Sequence, residues 1–258
     1  MIRRLPLVAA IVLAACNPTP KTISGTVTDI WDAPVENATV QLSGAEAPAT
    51  TGADGSFSFP RPAEAGTLSF SAEKEGYIQT STEAELAEDA ADFSAGLEMY
   101  PIPEGMGFFA IGEESYIQIS EVALKTIGTD ISAYTGLPSD PEAVIATQQF
   151  IFSSTTSISE LARLNLEIYK MEFQANGTVT GITGEQEITL NLWTASDTVE
   201  FDITPLAREH FFLISPTEEL PAGHYAFSTQ NVLGNRSASA MGSLPVELQV
   251  AHPFQIKN

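Results

Sequence analysis

The sequence predicts an all-β fold: an antiparallel β-sandwich followed by a second β-rich domain that carries one short helix. Two observations carry this prediction. Apolar and polar residues alternate with period two over many short runs, as in Ile23-Ser-Gly25-Thr-Val27 and Ile188-Thr-Leu190-Asn-Leu192, which places alternate side chains on opposite faces of a strand. Clusters of Gly, Pro, Asp and Asn punctuate those runs at short, regular intervals. The domains expected are a signal peptide at 1–15, a linker at 16–21, a sandwich at 22–100 and a β-rich domain at 104–258.

The chain begins with Arg3 and Arg4, a nine-residue apolar run from Leu5 to Leu13, and then Ala14-Ala15-Cys16. A charged start, an apolar middle and small residues at a cleavage point make a secretory signal. The run falls well short of the roughly twenty residues needed to span a bilayer. Leu13-Ala14-Ala15-Cys16 resembles the lipobox of bacterial lipoproteins, and Cys16 is the sole cysteine of the chain. The resemblance implies that residues 1–15 are removed, that the Cys16 thiol receives a diacylglycerol, and that the new amino terminus is acylated, with palmitate as the expected fatty acid. Each buried acyl methylene contributes about 0.8 kcal/mol, so three chains make a lasting anchor where one holds only marginally. Asn17 is not the aspartate that, in that family, retains a protein at the inner membrane, so the expected location is the outer membrane, facing the periplasm or the surface. Once Cys16 is acylated no thiol is left for a disulfide, and cores of ordinary size do without one.

After the polar stretch Asn17–Lys21, strands are expected at Ile23–Thr28, at Val40–Leu42 and, following Thr50 to Gly55, at Ser56–Phe59. Asp54-Gly55 between two such runs predicts a hairpin, because glycine accepts the positive φ of a tight turn. Leu68, Phe70 and Ala72 form a further strand, with Glu75-Gly76 as a turn and Tyr77-Ile78-Gln79 as its partner. Asp92 to Tyr100 closes a set of seven. Ile23-Ser-Gly25-Thr-Val27-Thr-Asp29, Pro34-Val35-Glu-Asn-Ala38-Thr-Val40, Thr51 to Asp54-Gly55-Ser-Phe57 and Glu75-Gly76-Tyr77 together resemble the carboxypeptidase regulatory-like domain over roughly residues 21 to 100. The resemblance implies a transthyretin-like (prealbumin-like) sandwich, close in shape to starch-binding modules with their carbohydrate-binding-like fold, and not itself catalytic. Trp31-Asp32-Ala33 departs from that family, which usually has a glycine in this turn. Trp31 is the one candidate for stacking on a ligand such as a sugar ring; its alternative is to fold back over the sandwich edge. The acids Glu83, Glu85, Glu88, Asp89 and Asp92 lack the spacing of a calcium loop and read as a solvated hairpin loop.

Pro101-Ile-Pro103-Glu-Gly105 marks a stiff boundary. Beyond it, strands are expected at Ile188–Trp193, Val199–Ile203, Gly223–Phe227 and Val246–Val250, with a turn at Gly181–Gly184. Asp140-Pro141-Glu142 has the form of a helix start and predicts a short helix from Pro141 to about Gln148. Leu161 to Phe173 fits two patterns. Leu161, Leu164, Ile168 and Met171 have helical spacing behind a capping box at Ser157–Glu160, whereas Leu164, Leu166 and Ile168 alternate and Tyr169, Met171 and Phe173 continue on the other parity, as across a bulge. A helical turn followed by a long strand is the expectation. Gly107-Phe-Phe-Ala-Ile, Tyr116-Ile-Gln-Ile, Arg163-Leu-Asn-Leu and Phe212-Leu-Ile-Ser-Pro216 with Leu220–Phe227 look similar to a β-rich domain of bacterial envelope proteins that has no agreed function.

Acidic residues outnumber basic ones 33 to 11, a net charge of −22. Loss of Arg3 and Arg4 leaves 9 basic against 33 acidic side chains, or −24. Nucleic acid is thereby excluded as a partner, since binding it needs a basic face. An anionic lipid surface repels the body, so the lipid on Cys16 is the expected contact with the bilayer. His210, His224 and His252 are far apart and match no zinc motif, no G-x-S-x-G elbow or phosphate loop occurs, and acid pairs such as Asp197 with Glu200 or Asp202 arise freely in so acidic a chain. No catalytic, metal-binding or cofactor-binding residue is therefore assigned. The expected function is that of a membrane-anchored, non-catalytic envelope lipoprotein whose modules bind a protein partner or serve a structural role. A carbohydrate-binding lipoprotein is the first alternative; it requires two or more exposed aromatic rings side by side. A hydrolase within residues 104–258 is the second.

Overall fold

A computed structural model of the chain describes residues 22–88, 93–155, 165–233 and 250–257. The signal, Cys16 and the linker lie outside the described residues, as do the capping box at Ser157–Glu160, Asp89, Asp92 and the positions Val246 and Leu248. The described chain is all-β, with strands throughout and one four-residue helix. It divides into two compact units. The first holds residues up to Asp29 with Ala33–Lys74 and Thr80–Met99; the second holds Tyr100 onward together with Ile30–Asp32 and Glu75–Gln79.

The chain runs through β1 (Thr22–Asp29), β2 (Thr39–Leu42), β3 (Ala49–Thr50), β4 (Ser56–Pro60), β5 (Gly66–Glu73), β6 (Tyr77–Ile78), β7 (Thr80–Leu86) and β8 (Ser94–Pro101). In the first unit β1 is central, antiparallel to β4 and parallel to β8, while β3-β2-β5-β7 form a second sheet. Ile23, Gly25 and Val27 of β1 point inward and Thr22, Ser24 and Thr26 outward, as the alternation requires. Phe57 and Phe59 of β4 meet Phe70 of β5 across the interior, with ring centroids 5.9 and 6.3 Å apart. Their burial supplies the main stabilisation of this small core.

Three expectations change here. Asp54-Gly55 does form a tight turn, closed by Gly55 N–H on the Gly52 carbonyl at 2.9 Å. The strands it joins belong to different sheets, because β3 pairs with β2 and β4 with β1. It is a sheet-to-sheet crossing and not a hairpin. The partner of β5 is β7, and Tyr77 and Ile78 pair instead with Pro101 and Tyr100. Glu83 and Glu85 belong to β7, where they accept hydrogen bonds from Ser69 and Thr67 of β5, so the strand extends into the acidic run read as a loop.

The second unit continues with β9 (Gly107–Ile111), β10 (Tyr116–Ile119), β11 (Val122–Ala123), β12 (Lys125–Gly128), β13 (Ala133–Leu137), β14 (Ala143–Ile145), β15 (Phe150–Ser153), β16 (Leu166–Gly181), β17 (Gly184–Val199), β18 (Phe201–Pro205), β19 (Phe211–Pro216), β20 (Gly223–Thr229), α1 (Gln230–Leu233) and β21 (Val250–Ile256). One sheet has the order β10-β9-β15-β19-β18 and the other β11-β21-β20-β16-β17-β13-β12, with β14 lying parallel beside β21. Phe108 and Phe150 from the first sheet and Phe227 and Phe254 from the second fill the space between them; the Phe108 and Phe227 rings lie 4.3 Å apart and nearly parallel. This unit too is a sandwich. The helix expected from Pro141 to Gln148 is absent. Ala143 and Ile145 are buried and Val144 is exposed, the period of two overriding the helix-start signature of Asp140-Pro141-Glu142 because both inward side chains enter the core. β16 and β17, each of 16 residues, form a hairpin around the expected Gly181–Gly184 turn, with register shifts at Lys170/Met171 and Gln174/Asn176. The anticipated change of parity is visible in Ile168 and Tyr169, both of which are buried.

Candidate functional site

The first unit carries a buried polar junction at Thr51. Thr51 is buried; its hydroxyl donates to the Val35 carbonyl at 2.6 Å and accepts from the Ala38 N–H at 2.8 Å, tying the β1–β2 connection to the strand that enters the Asp54-Gly55 turn. Asp54 Oδ1 accepts from the Ser56 N–H at 3.0 Å and the Ser56 hydroxyl at 2.6 Å, and these bonds hold its carboxyl below the ordinary range. Such an internally bonded carboxylate fixes the turn.

Trp31, the sequence candidate for stacking, lies in the second unit by its contacts and is half-buried. Its indole N–H donates to the Gly112 carbonyl at 2.8 Å, and its ring stands edge-on to Tyr116 at 5.0 Å. The polar edge of the ring is therefore engaged within the protein.

The histidines are placed in separate surroundings. His252 on β21 packs against the Phe108 ring at 4.8 Å with Nδ1 3.2 Å from the Ile119 carbonyl. Burial lowers its pKa, while the Ile119 carbonyl and Glu121 pull the other way. His224 lies on β20 beneath Trp193, and His210 adopts a positive φ after β18. Among the described residues no three His, Cys, Asp or Glu side chains converge as a metal site requires.

Asp197 and Glu200, one of the acid pairs noted in the sequence, line a hollow of about 340 Å³ with Lys170, Glu218, Glu219 and Tyr225; Asp202 does not line it. The Tyr225 hydroxyl donates to the Pro221 carbonyl at 2.8 Å, so it serves the hollow's wall. Tyr169 on β16, packed in a separate cluster with Leu137, Met171 and Ala226, is buried with no hydrogen-bond partner for its hydroxyl among the described residues. Burial first, and the Glu167 carboxylate second, push its ionisation up; Glu167 is near without meeting hydrogen-bonding geometry.

One side-chain group was not anticipated. Phe173 on β16 is opposite Trp193 on β17, the rings 5.5 Å apart and steeply inclined. Trp193 stacks on His224 at 3.9 Å and 24°, and its indole N–H donates to Asp140 Oδ1 at 2.8 Å. Phe173 is 54% exposed. The sequence placed Trp193 and His224 on strands, but their meeting depends on the order β20-β16-β17, which no local pattern reveals.

The buried glycine of β1, the Thr51 junction and the Asp54-Gly55 crossing are the structural content of the motifs shared with a known family. Residues 22–95 match the carboxypeptidase regulatory-like domain. Over these residues the chain is thus similar to that domain. No curated protein matches the chain. Among solved structures, a chain of a type II cohesin–X-dockerin complex from Acetivibrio cellulolyticus aligns at 20% identity, covering 32% of this chain and 58% of that one, with a TM-score of 0.25. BcpA, the major pilin subunit of Bacillus cereus, aligns at 11% identity over 91% of this chain and 68% of its own, with a TM-score of 0.28. This chain therefore spans little more than half the length of the cohesin–dockerin chain, and likenesses at these scores carry no functional argument.

Proposed function

We propose that the protein is a lipid-anchored component of a bacterial cell envelope whose two β-sandwich units act as non-catalytic interaction modules. The observation that carries this reading is the carboxypeptidase regulatory-like domain itself, an accessory and non-catalytic module, over residues 22–95. The second unit adds a space between sheets that is packed with phenylalanine rings. The tether rests on Leu13-Ala14-Ala15-Cys16, and Asn17 favours the outer membrane. A body of such acidity is held off an anionic bilayer, so that the acyl chains hold the protein while the modules stand clear of the lipid.

A photo-crosslinking residue at Gln41 or Ser58, exposed positions on the outer faces of the two sheets of the first unit, tests the interaction role in intact cells. The expected result is a discrete adduct with one envelope protein from at least one of the two positions. Recovery of no protein adduct from either position contradicts it.

A further inference from the structure

We infer that the exposed Phe173 ring, beside Trp193 whose face is covered by His224 and whose N–H is held by Asp140, forms a stacking platform for a neutral saccharide ring. The site lies in the second unit and depends neither on the tether nor on a protein partner. Three observations define it. Phe173 is more than half exposed, midway along β16 of the long β16–β17 hairpin. Trp193 is fixed from two directions, by the His224 imidazole against its face at 3.9 Å and by Asp140 Oδ1 on its N–H at 2.8 Å. The two rings stand 5.5 Å apart on neighbouring strands, so the platform is set by backbone register and not by flexible loops. A preorganised ring pair surrenders little conformational freedom on binding.

The chemistry around the rings selects the ligand. Aromatic faces carry negative quadrupoles and attract either cations or the polarised C–H face of a sugar ring. An anion is disfavoured by a chain of net charge −22. A quaternary ammonium uses the ring faces and Asp140 but finds no use for a hydrogen-bonding imidazole. A sugar uses all of them, its hydroxyls donating to the Asp140 carboxylate and bonding with the ring nitrogens of His224.

The test is fluorescence titration of the full chain carrying Trp31→Phe, which leaves Trp193 as the reporting indole, with cellohexaose, maltohexaose, chitohexaose and choline chloride as probes. Calorimetric titration of the chain without substitution gives a second readout independent of Trp31. The expected result is a saturable change with at least one oligosaccharide and none with choline. Phe173→Ala, at an exposed position, then weakens binding by about tenfold without moving the thermal unfolding midpoint. Absence of a saturable signal with all three oligosaccharides, saturation by choline alone, or undiminished affinity in Phe173→Ala overturns the inference.

Discussion

Gly25 shows how a single residue links motif to packing. A β-carbon built there would sit 2.3 Å from the Ala95 carbonyl oxygen of β8 and 2.3 Å from the Phe57 ring of β4, so the central strand accommodates only glycine between its two neighbours. Gly25→Ala is expected to destabilise the first unit by about 3 kcal/mol, measured by denaturant unfolding. The sequence placed Gly25 on the buried face of a strand, but the reason for glycine needs the neighbours, which arrive from 32 and 70 residues away. Asp32 is the converse case. It holds φ at +61°, a left-handed conformation that L-residues adopt at a cost, in the turn where the related family usually has glycine. Asp32→Gly is expected to raise stability by about 0.5 kcal/mol, with no gain from Asp32→Ala at the same position. Tyr169→Phe removes a buried hydroxyl that lacks a partner among the described residues; the change is expected to be neutral or stabilising by about 1 kcal/mol by thermal denaturation.

Among the elements, alternation located strands well and pairings poorly. β1, β4 and β5 fall where the period-two runs place them, since burial of one face is written into neighbouring residues. Pairing is set at long range. Asp54-Gly55 and Glu75-Gly76 both look like hairpin turns and both carry the chain elsewhere, because the side chains that decide the crossing are the inward rings and not the turn residues. The helix signature at Asp140-Pro141-Glu142 lost to Ala143 and Ile145 for the same reason. On β21, His252 has its folded-state pKa held below the usual 6.5 by burial. The unfolded chain then binds a proton that the folded one resists, so stability is retained above that value and falls as pH drops through 6.5 toward the folded pKa. His252→Gln is expected to flatten the pH dependence of the unfolding free energy between pH 7 and 5. An unchanged slope would assign that dependence to other groups.

At the scale of the whole molecule, composition and the signal-like N-terminal pattern gave the broadest expectations. The strong negative charge argues against a nucleic-acid partner, since binding one needs a basic face. The likeness to the carboxypeptidase regulatory-like domain was legible from the spacing of its residues; Gly55 answers a local demand with φ of +74°, whereas the reasons for Gly25 and Thr51 appear only with their folded neighbours. The aromatic group on the second unit was illegible because Phe173, Trp193, His224 and Asp140 come from four separate segments that only the folded sheet assembles. What would join these modules to a biological role is the proposed anchor. The most direct measurement is therefore metabolic labelling of cells with an alkyne palmitate analogue, followed by fractionation, on the chain and on its Cys16→Ser variant. The proposed role predicts a labelled protein in the membrane fraction that becomes unlabelled and leaves the membrane in Cys16→Ser; an unlabelled native chain, or a variant that stays membrane-bound, would contradict it.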